Sequence, residues 1–428
     1  MLKVLVIAYY FPPMGLSGVQ RTLKFIKYMK NYNWEPTVIT TGEVGYFAHD
    51  NSLSEDLNNT AVRIIRTEGR DPNSRLSKYG TINLPREIFR KIFNKLSQTF
   101  FIPDNKISWS KKAYSKAEEL LKQEKFDVIF VTGPPFSAMH IFSRIKKKHN
   151  IPLIIDYRDL WYDSYFAFYP TPIHRSLHKK MEYNVLKAAD RIIVTNRKIK
   201  EKLINQYQFL TFNDVVIITH GFDPEDFERA KMISKHNNRM ILTYSGIFMV
   251  YNSPKYFLEA FKEISIEHPE IAKNIELHFV GFLRKENQRL VRKLKLEEFV
   301  FDHGYIDHKD AVSKLLSSDV LWMMVGKRKN IDAILPGKVY EYIGARKPII
   351  ACVPDGAAKL AVQEYPAAYI CEPKDVNEIK KTILKVYDDY KAGNFAFVDD
   401  EFLTNFRRDY LTEKLTKEFQ FLIKAGIQ

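Results

Sequence analysis

The sequence predicts an α/β protein of two doubly wound domains, each built on a parallel sheet. Short apolar runs with the β-branched content of fully buried strands alternate with longer amphipathic stretches along nearly the whole chain. A polar, charged stretch from Pro224 to Asn238 interrupts the alternation, which then starts again. With 428 residues and 45% hydrophobic composition, the chain can fill two cores of ordinary size.

The first apolar run, Lys3–Tyr9 (KVLVIAY), reads as a buried parallel strand. In the loop FPPMGLSGVQR that follows, Gly15 and Gly18 permit a tight turn whose amides can line a diphosphate. The loop lacks both GxGxxG and GK[ST] spacing, so a purely structural turn also fits it. Val19–Tyr32 continues as a helix with Leu23, Phe25, Ile26 and Met29 as its apolar residues. Strands at Glu35–Thr40, Arg63–Arg66, Val128–Thr132, Leu153–Tyr157, Arg191–Val194 and Val215–Thr219 complete the first series, with helical periodicity notably over 108–124 and 174–189. A second series reads at Met240–Tyr244, Glu276–Val280, Val300–Asp302, Val320–Met324, Ile349–Val353 and Tyr369–Cys371. The domain boundary is expected within 224–238, giving domains 1–224 and 225–404 and a last helix within 405–428. Sheets of this kind bind ligands at the carboxyl ends of their strands.

Residues 334–350 (ILPGKVYEYIGARKPII) combine a turn, a short helix and a strand. Pro336 and Gly337 let the backbone approach a ligand, and a helix opening at Lys338 points unpaired N–H groups and its positive end at an anion. Lys338 adds a full charge, and Glu341, one turn in, can accept both hydroxyl protons of a ribose. An ordinary helix cap with a surface Glu is the alternative.

At the end of the strand Leu153–Tyr157, Asp156, Arg158 and Asp159 are candidates for chemistry. Either aspartate can orient a ligand hydroxyl while Arg158 offsets its charge. A loop tied by an Asp–Arg pair is the competing reading. In VTGPPFS, a helix starting near Ser137 would aim its amides at an acceptor phosphate, with His140 behind it. His220, in THGFD, either shapes a turn or lines the cleft. Together with Arg21 of the first loop, His140, Ser137 and His220 are the candidates for contact with a ligand other than the one at Lys338.

The net charge of +15 calls for an anionic partner. Nucleic acid is not expected, since the cations are dispersed and no helix-turn-helix, zinc or RNP-type pattern occurs. An anionic membrane surface fits residues 85–102 (PREIFRKIFNKLSQTFFI). Ile88, Phe89, Ile92, Phe93, Leu96 and Phe100 share one helical face there, and Arg90, Lys91 and Lys95 take the other. A helix packed on the core gives the same pattern. The two cysteines, Cys352 and Cys371, suggest a reducing compartment. The first residues lack a cleavage pattern, and no apolar run is long enough to span a bilayer. The expected location is therefore cytoplasmic, peripheral to the inner face of the cell membrane.

YYFPPMGLSGVQR, IIDYRDLW (154–161), THGFD (219–223), YSGIF (244–248) and PGKVYEYIGARKPI (336–349) together resemble the retaining nucleotide-sugar glycosyltransferases of family 4. The similarity runs along nearly the whole chain. It points to the branch with PGK before the second Glu of a paired-glutamate motif. It implies the GT-B fold, two Rossmann-like doubly wound domains facing each other across a deep cleft. The first would bind the acceptor, the second the donor, and the last helix would cross back toward the first. The implied reaction moves a sugar from a UDP- or GDP-sugar to a saccharide or lipid-linked acceptor, in bacterial surface polysaccharide or glycolipid synthesis. Neither cofactor nor metal is implied. Gly15, Gly18, Gly246, Gly337, Lys338, Glu341 and Asp332 would form the donor side.

Three departures qualify this resemblance. Ile247 and approximately Ser253 stand where many relatives carry a diphosphate-clamping Arg and Lys, and Arg158 stands near their catalytic His. Ala333 takes the place of the first paired glutamate, with Asp332 a stand-in and Lys338, Lys327 or Arg328 as sources of positive charge. A sugar-nucleotide epimerase on the same fold and a non-catalytic sugar-nucleotide-binding subunit are the alternatives.

Overall fold

The computed structural model describes residues 1–425 apart from 16, 43, 47, 59, 61, 70–86 and 249–251, and apart from the side chains of residues 87 and 88. The chain divides into two compact units, Met1–His220 with Arg408–Gln428, and Gly221–Arg407.

The first unit holds seven strands: β1 (Leu2–Ile7), β2 (Trp34–Thr41), β3 (Arg63–Thr67), β4 (Val128–Gly133), β5 (Leu153–Tyr157), β6 (Arg191–Val194) and β7 (Val215–Ile217). All pair in parallel in the order β3-β2-β1-β4-β5-β6-β7. Strands covered on both faces carry no polar alternation, so Val4–Ile7 and Val128–Val131 are continuously apolar and buried. The order of strands reverses between β1 and β4, so the loops leaving these two strands diverge at one topological switch point. The helix Ser17–Met29 buries Leu23, Phe25, Ile26 and Met29. The last helix, Arg408–Ala425, also belongs here, and its Phe419 ring lies 5.1 Å from Trp34 and 5.7 Å from Phe130.

The second unit holds β8 (Met240–Ser245), β9 (Ile275–Val280), β10 (Val300–Asp302), β11 (Val320–Met324), β12 (Ile349–Cys352) and β13 (Ala368–Cys371), parallel throughout in the order β10-β9-β8-β11-β12-β13. Its core is aromatic: Phe257 stacks on Trp322 at 3.9 Å and Tyr244 on Phe248 at 4.0 Å. The switch point lies between β8 and β11.

The boundary falls at His220/Gly221, ahead of the expected 224, and the return at Arg408 instead of 405. Phe222 explains both shifts. Its N–H donates to the Phe406 carbonyl at 3.0 Å, it bridges to Arg407, and its ring fills the space that a Cβ on Gly344 would need. The polar stretch expected to hold the boundary opens with a helix, Pro224–Arg229, started by Pro224 and by Asp223 accepting from the Glu225 N–H at 3.1 Å.

Candidate functional site

The carboxyl ends of β8 and β9 form a strip of bare backbone. Gly246 N donates to the Val280 carbonyl and Gly281 N to the Gly304 carbonyl, each at 2.7 Å. Both glycines have positive φ, +125° and +124°, where a side chain is strained. Gly281 also has no room for one, and at Gly246 a side chain would displace the Lys338 ammonium. A Cβ on Gly281 would stand 2.4 Å from the Gly246 carbonyl oxygen, and a Cβ on Gly246 would stand 2.7 Å from Lys338 Nζ. Gly246 is therefore a position where backbone lies directly against the candidate anion-binding lysine.

Lys338 opens the helix Lys338–Gly344. Its ammonium rests 3.7 Å from the centroid of the Tyr244 ring, with no hydrogen-bond acceptor among the described residues. Burial pushes its pKa down to about 7, against the opposing pull of Glu341. Such a group is well suited to an anionic ligand, which would restore the charge. Tyr342 fixes the same helix to the sheet, accepting from Ser245 N at 2.8 Å and donating to the Trp322 carbonyl at 3.2 Å.

Glu341 Oε1 lies 3.2 Å from His308 Nε2, and His308 Nδ1 lies 3.7 Å from Asp226 Oδ2. Asp332 contributes its backbone to the neighbouring loop, its carbonyl accepting from Ala357 N at 2.7 Å. Gly337 has an ordinary right-handed φ of −59°, so its backbone conformation does not require glycine. Lys327 pairs with Glu372 at 3.2 Å. Part of the YSGIFMVYNSPK turn, residues 249–251, lies outside the described residues. Phe282 and Tyr305 stack at 5.3 Å beside the glycine strip.

In the first unit the structure corrects several expectations. Arg21 and Asp156 are both fully buried and saturate each other. Arg21 Nε donates to both Asp156 oxygens at 3.1 and 3.2 Å and Nη2 donates to Oδ1 at 2.9 Å, while Nη2 also donates to the Ile218 carbonyl and Nη1 to the Thr219 carbonyl. Thr132 Oγ1 also donates to Asp156 Oδ2, at 2.9 Å. Neither residue faces an acceptor; together they tie the helix after β1 to β5 and to the chain after β7. Arg158 is a loop tie as well, donating to the carbonyls of Gly133 at 3.1 Å, Pro134 at 3.1 Å and Gly18.

Ser137 is also engaged. Asp104 accepts from its N–H at 2.9 Å and from its hydroxyl at 2.7 Å, so a carboxylate of the chain itself occupies the place proposed for an acceptor phosphate. At Gly18, an added Cβ would meet nothing closer than Arg158 Nη1 at 3.7 Å, so the turn there does not demand glycine. Gly15 donates its N–H to the Ala48 carbonyl at 2.8 Å, and residue 16 between them lies outside the described residues. His140 keeps a buried Nδ1 and, through burial and Arg144, a pKa below the usual histidine range. Burial, with Arg21, Arg408 and Arg158 nearby, lowers that of His220 well below 6.5.

Asp159 remains. Its carboxylate is half-buried, accepts no hydrogen bond from any described residue, and has its pKa raised by burial. The rest of the segment is locked in place. Tyr157 donates to the buried Glu182 and accepts from Trp161 N at 2.7 Å, while Trp161 Nε1 donates to His178 Nδ1 at 2.8 Å. A rigid frame thus presents one unsatisfied carboxylate. Sequence reading missed His308, Asp104, Glu182 and Gly281; of these only Gly281 carried a local signal, a glycine directly after a strand.

Residues 19–226 match the family described as Glycosyltransferase Family 4, and residues 225–394 match Glycosyl transferases group 1. No curated protein sequence matches the chain. Among solved structures, a glycosyltransferase from Rickettsia africae ESF-5 superposes with a TM-score of 0.64 at 13% identity, covering 99% of each chain. Anabaena Alr3699/HepE in complex with UDP gives 0.61 at 12% identity, over 98% of this chain and 100% of that one. A Listeria monocytogenes protein described as a putative UDP-N-acetylglucosamine 2-epimerase gives 0.58 at 12%, over 99% and 97%. At these identities the likeness is one of fold.

Proposed function

We propose that the chain is a GT-B glycosyltransferase, a retaining enzyme taking its sugar from a nucleoside diphosphate donor; the two family regions matched at residues 19–226 and 225–394 support this reading. The observation that carries this is the second unit's switch point, where Gly246 presents bare backbone against Lys338 and Glu341 follows one turn along the same helix. A diphosphate at Lys338 would restore a charge that burial disfavours, and the ribose diol would fall to Glu341. The lysine takes over the work of the clamp residues replaced by Ile247 and Ser253. The solved relative holding UDP supports a uridine donor.

In the first unit, Asp159 is the residue we assign to the acceptor hydroxyl. The acceptor is a saccharide or a lipid-linked saccharide, and the chain works at the cytoplasmic face of a membrane. In support, the helix Glu87–Phe100 exposes Phe89, Ile92, Phe93, Leu96 and Phe100 beside Lys91 and Lys95; residues 85 and 86 of the segment lie outside the described residues. Gln98 braces this helix by accepting from Phe168 N at 2.7 Å. Among the described residues no helix is long and apolar enough to cross a membrane.

The test is a panel of UDP- and GDP-sugars, read first as thermal stabilisation and then by product analysis with Glu341→Ala in parallel. Loss of a charge-assisted hydrogen bond should weaken donor binding by about 1.5–3 kcal/mol without unfolding the protein. Stabilisation by no donor, or unchanged affinity in Glu341→Ala, would remove this site. An epimerised nucleotide sugar with no transfer product would favour the epimerase reading instead.

A further inference from the structure

We propose that His308 is a positioning residue for Glu341, holding its carboxylate in the one orientation that accepts both hydroxyls of a nucleotide's vicinal diol. The inference rests on the reading of the second unit as the nucleotide-binding one and adds to it the source of ribose selectivity.

Glu341 reaches its site through a flexible side chain on a helix of only seven residues. A carboxylate must be fixed in angle to accept two adjacent hydroxyls at once, and freezing a long side chain costs rotamer entropy unless a neighbour has already done so. His308 supplies that neighbour. Its Nε2 lies 3.2 Å from Glu341 Oε1, and a carboxylate oxygen can only accept, so Nε2 carries the hydrogen.

The ring is itself held. Its Nδ1 lies 3.7 Å from Asp226 Oδ2, a pairing made when the imidazole is protonated, and the ring is largely buried, with 12% of the side chain exposed. His308 opens the helix His308–Leu316, which buries Val312 and Leu315, so the backbone bearing it is fixed by the core. Asp226 comes from the helix Pro224–Arg229. Three separate elements thus converge to orient one carboxylate, an arrangement like the outer groups that orient metal-binding side chains.

The experiment is calorimetric titration of the full chain with UDP and with 2′-deoxy-UDP, GDP and its 2′-deoxy form being used if the uridine nucleotide does not bind. His308→Ala should weaken the ribonucleotide by about tenfold and the deoxyribonucleotide by much less, reducing the ratio between them. His308→Gln, which can still donate to Glu341, should recover most of that ratio. In a Glu341→Ala background, His308→Ala should add nothing. The ratio is internal to each variant, so a partial loss of folded protein leaves it intact, and His308→Gln provides it if His308→Ala does not fold. Equal loss for both sugars, or a full additional loss in the Glu341→Ala background, overturns the positioning role alone. Wild-type protein that binds neither nucleotide overturns the nucleotide reading and this role with it.

Discussion

Lys338 offers the sharpest test of the donor site, because its charge is conditional. Burial lowers its pKa from 10.5 to about 7, so between those values the free protein holds it increasingly neutral. A bound diphosphate reverses the cause: an anion in contact with the ammonium favours the charged form and lifts the pKa back toward 10.5. Binding above pH 7 must therefore take up a proton, and affinity should fall by a factor approaching ten for each pH unit, or 1.36 kcal/mol. From pH 7, where the free lysine is already half neutral, to pH 9 the loss should be about fiftyfold, about 2.3 kcal/mol. The ligand's terminal phosphate has a pKa of about 6 and is essentially ionised throughout that range, so it adds little slope of its own. Calorimetry of UDP at pH 8.5, in two buffers of different ionisation enthalpy, should show close to one proton absorbed by wild type and close to none by Lys338→Met. Stability runs the opposite way. The folded pKa is depressed, so the unfolded chain binds more protons between pH 7 and 10.5, and the unliganded protein should gain stability across that interval. Affinity that stays flat from pH 7 to 9, with no dependence on buffer, would show that no diphosphate meets this lysine.

Asp159→Asn should lower turnover steeply while leaving the protein as stable or more stable at neutral pH, because a carboxylate whose pKa is raised by burial costs stability as pH rises through it; turnover kinetics beside urea melts decide this, and normal turnover would refute it. Asp156→Ala should act the opposite way. It strands a buried guanidinium, so unfolding free energy should drop by about 3–5 kcal/mol, and a chemical denaturation midpoint equal to wild type would contradict the pairing. Replacing Phe89, Phe93 and Lys95 by Ser, Ser and Glu should abolish salt-sensitive sedimentation with anionic vesicles and leave hydrolysis or transfer to a soluble acceptor unchanged; wild type that fails to sediment at low salt would refute the membrane assignment.

The parallel strands were legible because burial on both faces writes an unbroken apolar run, as in Val4–Ile7 and Ile349–Cys352. Lys338 and Glu341 share one helix turn, so their spacing in sequence is already their spacing in space. The residues that were misread or missed are joined over distance. Arg21 meets Asp156 across 135 positions, Asp104 meets Ser137 across 33, and His308 meets Glu341 across 33. A charged residue near a strand end looks the same in sequence whether it faces a ligand or a partner brought in by the sheet order. Asp156 and Asp159 show this directly, three positions apart on one strand and loop, one fully saturated and the other without a donor among the described residues.

The guanidinium of Arg158 holds carbonyls from two loops, Gly18 after β1 and both Gly133 and Pro134 after β4. Its planar fork sets how far apart those loops stand, so the mouth of the first unit's switch point behaves as a single stiff jaw whose two sides move together or not at all. An arginine keeps its proton at every pH at which the protein is folded, so this spacing has no acid–base off position, as a histidine at the same place would have given it. Changes in what this mouth admits should then come from lengthening a loop beyond the clamp, because remodelling either side alone would break the link that they share.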